Sequence, residues 1–129
     1  MGMLDDDKAT ATALSAGRVA FGLSSLLTPR LAGKIIGFPG AEVTPSAIVM
    51  ARFFGVREVA IGAVSLLWLR EHEPTRMFAA LNGAVDAGDT IFCALSLGSK
   101  GSPKRALIGS LALSAPYAAL WFRMAQRRS

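Results

Sequence analysis

Six charged or polar residues interrupt two apolar stretches of the sequence, residues 51–69 and 76–97. They are Arg52, Arg57, Glu58, Asn82, Asp86 and Asp89. Guanidinium and carboxylate groups pair in a bidentate geometry, so this combination is suited to buried ion pairs. The same groups could hold an anionic or carbonyl-bearing head group, or could carry protons.

Helical periodicity sorts these residues by direction. At about 100° per residue, Asn82, Asp86 and Asp89 fall within about 60° of one another and form one polar stripe. Arg52 and Arg57 point about 140° apart, and Glu58 points about 100° further on from Arg57. We therefore expect several helices or a wet cavity around the segment that carries Arg52.

Arg18 interrupts an earlier apolar segment and belongs to the same group. Counting along antiparallel helices brings Arg18, Arg57, Asp86 and Asp89 to one level. Glu58 lies beside Arg57, and Arg52 lies about one helical turn nearer the surface. Three arginines then stand against three carboxylates, so the cluster can be neutral. The network could fix helix register, could form a ligand site or proton path, or could meet the charges of a partner protein.

The composition is that of a membrane protein. Of the 129 residues, 52% are hydrophobic and 18% are charged, below the roughly 25% charged residues of soluble proteins. The mean hydropathy is positive, at +0.43. The net charge of +5 is expected from basic residues that flank membrane spans, so we predict no nucleic-acid partner.

Four apolar segments, each near the ~20 residues needed to cross ~30 Å of hydrocarbon, predict four helices in a single domain. Their approximate bounds are residues 9–28, 46–69, 76–97 and 104–123. Prolines mark their starts, and Thr44 and Ser102 are predicted N-caps. Residues 30–40 are short, apolar and broken by glycine and proline, which indicates an interfacial turn of helix followed by a loop. The predicted fold class is all-α, an integral membrane four-helix bundle with short loops.

A soluble four-helix bundle is the alternative, but its helices would carry a polar face along their whole length. The fourth segment is apolar nearly all round and ends in Tyr117, Trp121 and basic residues, as interfacial anchors do. We expect the protein in the inner membrane of a bacterium. A slight excess of basic residues predicts that both termini lie in the cytoplasm.

Other side chains indicate no further chemistry. Cys93 and His72 are the single cysteine and histidine, which cannot build a disulfide framework or a metal cluster, and we expect no cofactor. Ser110 and Ser114 are predicted to bond to carbonyl groups four residues earlier in their helix. Glycines are predicted to allow close helix approach, and they are Gly55, Gly62, Gly83 and Gly88.

The stretches ARFFGVREVAIGAVSLL and ALNGAVDAGDTIFCAL, with RVAFGLSSLLTPRLAGKIIGFPG before them, resemble small four-span membrane proteins classed as a domain of unknown function. The typical run of these proteins, R-x-x-G-x-R-[DE]-x-x-x-G, is met by Arg52, Gly55, Arg57, Glu58 and Gly62. The chain is more distantly similar to DoxX-like membrane proteins, which are associated with respiratory or redox complexes. The resemblance implies a helical membrane fold and supplies no reaction.

Two functions follow as expectations. The first is a non-catalytic accessory or stabilising subunit of a larger membrane complex, with membrane lipids and a larger complex or a second copy of the chain as partners. The second is a membrane-embedded binder or enzyme for an anionic or quinone-like lipid, which uses the charged cluster.

Overall fold

The computed structural model describes residues 3–37 and 44–128. Within these ranges every regular element is a helix, and the all-α prediction is confirmed. The helices are α1 (Met3–Leu27), α2 (Pro29–Ile36), α3 (Pro45–Glu71), α4 (Arg76–Leu97) and α5 (Lys104–Arg127). The chain divides into two compact units, residues Met1–Glu73 and Pro74–Ser129. A single domain stays a prediction.

Threonine caps fix the starts of two long helices. The Thr44 side chain accepts a hydrogen bond from the Ala47 amide at 3.1 Å, with Pro45 at the first helical position. Thr75 accepts in the same way from the Phe78 amide at 3.0 Å. Both bonds satisfy donors that the first helical turn leaves unpaired. The N-cap at Thr44 is therefore confirmed.

The predicted cap at Ser102 is wrong. Helix α5 begins at Lys104, and its N-cap is Pro103, which has no side chain to accept a bond. The Ser102 hydroxyl instead accepts from the Lys104 ammonium group at 2.9 Å. Lys104 also donates to the carbonyl oxygens of Leu97 and Ser99, so one side chain closes the connection between α4 and α5.

The segment predicted at residues 30–40 is helical over most of its length. Helix α2 ends at Ile36, and Gly37 follows with a positive φ of 118° and a hydrogen bond from its amide to the Gly33 carbonyl. This left-handed end is the conformation that glycine adopts without strain. Residues 38–40 lie outside the described ranges.

In the first unit, α1 and α3 run antiparallel with their backbones in contact. A Cβ atom on Gly55 would lie 2.6 Å from the Gly22 carbonyl oxygen, and one on Gly62 would lie 2.6 Å from a Val19 methyl group. Side chains at these glycines would force the helices apart. The close approach predicted for Gly55 and Gly62 is confirmed.

In the second unit, α4 and α5 form another antiparallel pair. Phe78 meets Trp121 edge to face with ring centroids 5.7 Å apart, and Trp121 and Met124 are fully buried. A Cβ on Gly83 would lie 3.1 Å from the Trp121 Cβ, which confirms the close approach there. The same prediction for Gly88 is wrong, since no described atom lies within 4 Å of a Cβ placed on it.

Helix α3 buries mainly small and polar residues and exposes large apolar ones. The buried residues of α3 are Gly55, Glu58, Gly62, Ser65 and Leu69. Its exposed side chains include Phe53, Val56, Val64 and Leu67. Among the described residues, no helix is at once long enough and apolar enough to cross a membrane.

Candidate functional site

The centre of the candidate site is a buried ion pair between α1 and α3. The Arg18 guanidinium Nη1 donates to Glu58 Oε2 at 2.9 Å, and the two side chains are only 1% and 7% exposed. Burial at this level removes both groups from water, so the hydrogen bond between them replaces hydration that both have lost.

The spacing of small residues on both helices positions this pair. The buried residues of α1 include Ala11, Ser15, Arg18, Gly22 and Ser25. Buried residues of α3 recur at the same alternating intervals of three and four, which keep one helical face toward its neighbour. The glycine contacts bring the backbones together on either side of Arg18 and Glu58, so the long side chains bond in the space that small neighbours leave.

Arg57 completes the described cluster from the same helix as Glu58. Its Nη2 donates to Glu58 Oε1 at 2.9 Å, while its side chain stays 41% exposed. The guanidinium carbon lies 5.1 Å from the centre of the Phe54 ring, within the range of a cation–π contact. Phe54 in turn meets Phe21 of α1 edge to face at 5.5 Å. Both oxygens of Glu58 therefore accept a charge-assisted bond.

The other predicted site residues lie apart from this cluster or in the second unit. Arg52 is exposed on α3. On α4, Asn82 and Asp86 are buried and Asp89 is partly buried. The predicted pairing of Arg57 with Asp86 and Asp89 stays a prediction.

The polar stripe of α4 continues into hydrogen bonds that the sequence analysis missed. Thr90 Oγ1 donates to Ser114 Oγ of α5 at 2.9 Å and lies 2.8 Å from the Asp86 carbonyl oxygen. The Asn82 amide donates to the Phe78 carbonyl at 3.1 Å. Ser114 therefore bonds across the helix pair. The sequence contains a signal for this contact. The signal is the helical spacing of four polar or aromatic residues on one face of α5, namely Ser110, Ser114, Tyr117 and Trp121.

Ser15 Oγ, Asn82 Oδ1 and Trp121 Nε1 are buried polar atoms for which the described residues provide no hydrogen-bond partner. A buried donor or acceptor without a partner costs ~1–3 kcal/mol, so a water molecule or a polar ligand group would be stabilised at these atoms. Among the described residues, no group of three or more His, Cys, Asp or Glu side chains is placed to hold a metal ion.

The fold and the site define a class of small all-helical proteins that hold a charged cluster inside a closely packed helix pair. The chain belongs to the family described as Domain of unknown function (DUF4267), whose model matches residues 15–124. The match includes Arg18, Arg57 and Glu58. No curated protein and no solved structure is significantly similar to the chain.

Proposed function

We propose that the protein is a small integral membrane protein that acts without catalysis, as an accessory or stabilising subunit of a larger membrane complex. The observation that carries the proposal is the inverted distribution of side chains. Most buried positions hold glycine, alanine, serine or charged residues, with Trp121 and Met124 as large exceptions, whereas twenty large apolar side chains of the described residues are exposed. This is the pattern of helix packing in lipid, where small residues let backbones approach and polar groups bond between helices.

The distribution would be costly in water. Twenty large hydrophobic side chains are exposed among the described residues, from Leu23 to Phe122. Burial of such a side chain contributes ~1.5–3 kcal/mol, and soluble proteins bury most of them. Lipid tails or the apolar surface of a partner would cover these side chains at no such cost. Helices α1, α3, α4 and α5, at 22 to 27 residues, have the length of a span, although no described helix combines that length with sufficient apolarity.

Glu58 and Arg57 of α3 are compatible with this placement because they are paired. An isolated arginine at the bilayer centre costs at least ~2.5–3.5 kcal/mol, while groups that face a helix interface and pair with one another are tolerated. Glu58 accepts from both Arg18 and Arg57. One oxygen of Glu58 bonds across to α1 and the other bonds within α3, and we infer from this an architectural role rather than a catalytic one.

Several finer features belong to the same proposal. They are the arrangement of α1, α3, α4 and α5 as a four-helix bundle, the inner-membrane location with both termini in the cytoplasm, and the distant similarity to DoxX-like proteins. The run from Arg52 to Gly62 supports the resemblance to small four-span membrane proteins, because several of its residues have a structural role. Gly55 and Gly62 allow the backbone contact, and Glu58 bonds to Arg57.

Two measurements test the proposal. Membranes that contain the protein are extracted with alkaline carbonate, and we expect the chain to stay in the pellet. The protein is then released with mild detergent and weighed by native mass spectrometry, and we expect a co-purifying partner chain. Release by carbonate would contradict the membrane placement. A lone monomer from every detergent tried would contradict the accessory role.

A second candidate function is a membrane-embedded binder for an anionic or quinone-like lipid. It is favoured by the 41% exposure of the Arg57 side chain, which leaves part of the guanidinium group of the cluster open to a ligand. Asp86 and Asp89 would orient arginines or handle protons, and Arg52 would extend the site. Lipid that co-purifies with wild type and is lost on Arg57→Gln, but not on Arg70→Gln, would support this function over the first.

A further inference from the structure

Helix α2 presents two rows of side chains that differ in chemistry. Arg30 and Lys34 are exposed, lie four residues apart and are the only charges of this helix. Leu31 and Ile35 are also four residues apart, and they are 55% and 74% exposed. Residues at this spacing lie above one another on a helix. The helix therefore exposes a basic row beside an apolar row.

A third position shows how α2 is oriented. Ala32 is 5% exposed and is the buried residue of the helix, which packs against α1 and α3. At about 100° per residue, Ala32 lies opposite the basic row, and the apolar row lies between them. The basic side chains thus point away from the body of the first unit, and the apolar row lies along its flank.

Hydrogen bonds hold α2 in this orientation. The Thr28 amide donates to the Ser24 carbonyl at 2.9 Å, and the Ala32 amide donates to the Thr28 carbonyl at 3.0 Å, so helical bonding continues across the junction with α1. The Thr28 hydroxyl also donates to the Ser24 carbonyl. At the other end, Gly37 turns the chain out of the helix. The bonds at Thr28 tie the start of α2 to the end of α1, and they orient the two rows relative to α1.

We propose that α2 is a docking surface for anionic phospholipids at the membrane boundary. This inference rests on the membrane placement proposed above. Leu31 and Ile35 would enter the boundary between head groups and acyl chains, with Leu27 extending the apolar row, and Arg30 and Lys34 would bond to lipid phosphates. Helices with an apolar face beside a basic face bind membrane surfaces in this way. Charge complementarity selects the lipid class, since the charges of α2 are all positive and anionic leaflets attract such residues.

The test uses the full chain, purified in a neutral detergent and titrated with phosphatidylglycerol or phosphatidylcholine, with bound lipids counted by native mass spectrometry. We expect wild type to prefer phosphatidylglycerol. The double variant Arg30→Gln with Lys34→Gln should lose about 25-fold in affinity for phosphatidylglycerol, about 5-fold for each residue, which corresponds to ~1 kcal/mol per basic side chain near an anionic surface. Its affinity for phosphatidylcholine should fall much less, because the choline cation offsets the charge of that lipid's phosphate. Leu31→Ser with Ile35→Ser should weaken the binding of both lipids.

A matched control distinguishes lipid binding at α2 from a general effect of the protein's net positive charge. Lys100→Gln with Arg105→Gln removes two exposed basic residues from the connection and start of α5, and it should retain the phosphatidylglycerol preference. An equal loss in this control would overturn the inference. So would competition by glycerol phosphate at the same phosphate concentration, because that would indicate a site for free phosphate.

Carbonate extraction of the same wild-type protein distinguishes the two proposals. Retention in the pellet without a preference for phosphatidylglycerol would overturn the docking surface alone. Release into the supernatant would overturn the membrane placement and, with it, the inference about α2.

Discussion

Arg18 of α1 and Glu58 of α3 form a hydrogen-bonded ion pair, 2.9 Å long, between residues 40 positions apart in the sequence. A buried pair of this kind contributes little beyond what an apolar pair would, but removal of one partner leaves a charge without compensation. The pair therefore selects one register of α1 on α3 more than it adds to stability.

Replacement of Arg18 should be the most damaging change in the charged cluster. Arg18→Ala removes the buried partner of Glu58 and leaves it only the bond to Arg57, whose side chain is 41% exposed. Breaking a buried pair typically costs ~3–5 kcal/mol, and the remaining Arg57 bond or protonation of the glutamate should reduce that cost. Adding Glu58→Gln should restore part of the loss because the buried negative charge is gone. Thermal unfolding in detergent of the single and double variants measures both effects.

Arg57 and Arg52, two arginines of α3, serve as graded controls. Arg57→Ala should cost less than Arg18→Ala, since the Arg57 side chain is 41% exposed and Glu58 keeps its bond to Arg18. Arg52→Ala, at an exposed position, should cost least. The sequence-based pairing of Arg57 with Asp86 predicts otherwise. Under that pairing Arg57→Ala would be severe and Asp86→Asn would rescue it, so this pattern would reassign the partner of Arg57.

Two glycine substitutions should differ in their effect on the free energy of unfolding. Gly55→Ala places a Cβ 2.6 Å from the Gly22 carbonyl, and overpacking of this kind costs ~1–3 kcal/mol. Gly88→Ala meets no described atom within 4 Å and should be neutral or should stabilise α4 by ~0.5–1 kcal/mol, as alanine does in a helix interior. The comparison is made by the midpoint of thermal unfolding. Equal effects would contradict the close contact of α1 and α3.

The hydrogen bond between Thr90 and Ser114 should contribute modestly. Bonds between membrane helices average ~0.6 kcal/mol in double-mutant cycles and reach ~1.7 kcal/mol. The cycle is built from Thr90→Val, Ser114→Ala and the double variant, with unfolding in detergent as the readout. Ser110→Ala, one turn away on α5, is the control and should show a smaller coupling to Thr90→Val. A coupling energy of zero would contradict the bond.

Exposed apolar residues at different depths test the environment of the helices. Val64 and Met77 are equally exposed, at 67% and 68%, but Val64 lies inside α3 and Met77 lies in the first turn of α4. In a bilayer, Val64→Asp should oppose insertion by up to ~2.5–3.5 kcal/mol, whereas Met77→Asp should oppose it less because a charge near a helix end reaches the interface. In water, each substitution would change the free energy of unfolding by no more than about 0.5 kcal/mol. The fraction of chain inserted, measured by carbonate extraction, decides between these outcomes.

The positions of the helices could be predicted because apolar length and turn residues are local signals. The segment predicted at 76–97 coincides with α4 (Arg76–Leu97), and Thr44 with Pro45 marks the start of α3. Ser102 failed as a cap because Pro103 itself occupies the cap position. The sequence therefore predicted that a helix starts here, but it placed the N-cap one residue too early.

The partners of the charged side chains were harder to predict. The helical period gives the direction of a Cβ atom, and on that basis Arg57 and Glu58 point about 100° apart. A guanidinium group lies at the end of a long flexible side chain, and in the structure it returns to its own neighbour. Counting residues did place Arg18 level with Arg57, and the structure joins both of them to Glu58. The level of each residue along its helix and the direction of its Cβ atom could be predicted. The bonding partner could not, because it depends on the length and conformation of the side chain.

The 40-residue separation of Arg18 and Glu58 also bears on biosynthesis. At ~5–20 residues per second, a ribosome needs roughly 2–8 s after Arg18 to add Glu58. During that interval α1 carries a cation whose buried partner has not been made. In a membrane, α1 should therefore remain in the insertion machinery until α3 emerges, and the two helices should enter the bilayer together as a hairpin. Stalled nascent chains that end before Glu58 should be released by carbonate, whereas chains long enough to expose all of α3 should be retained.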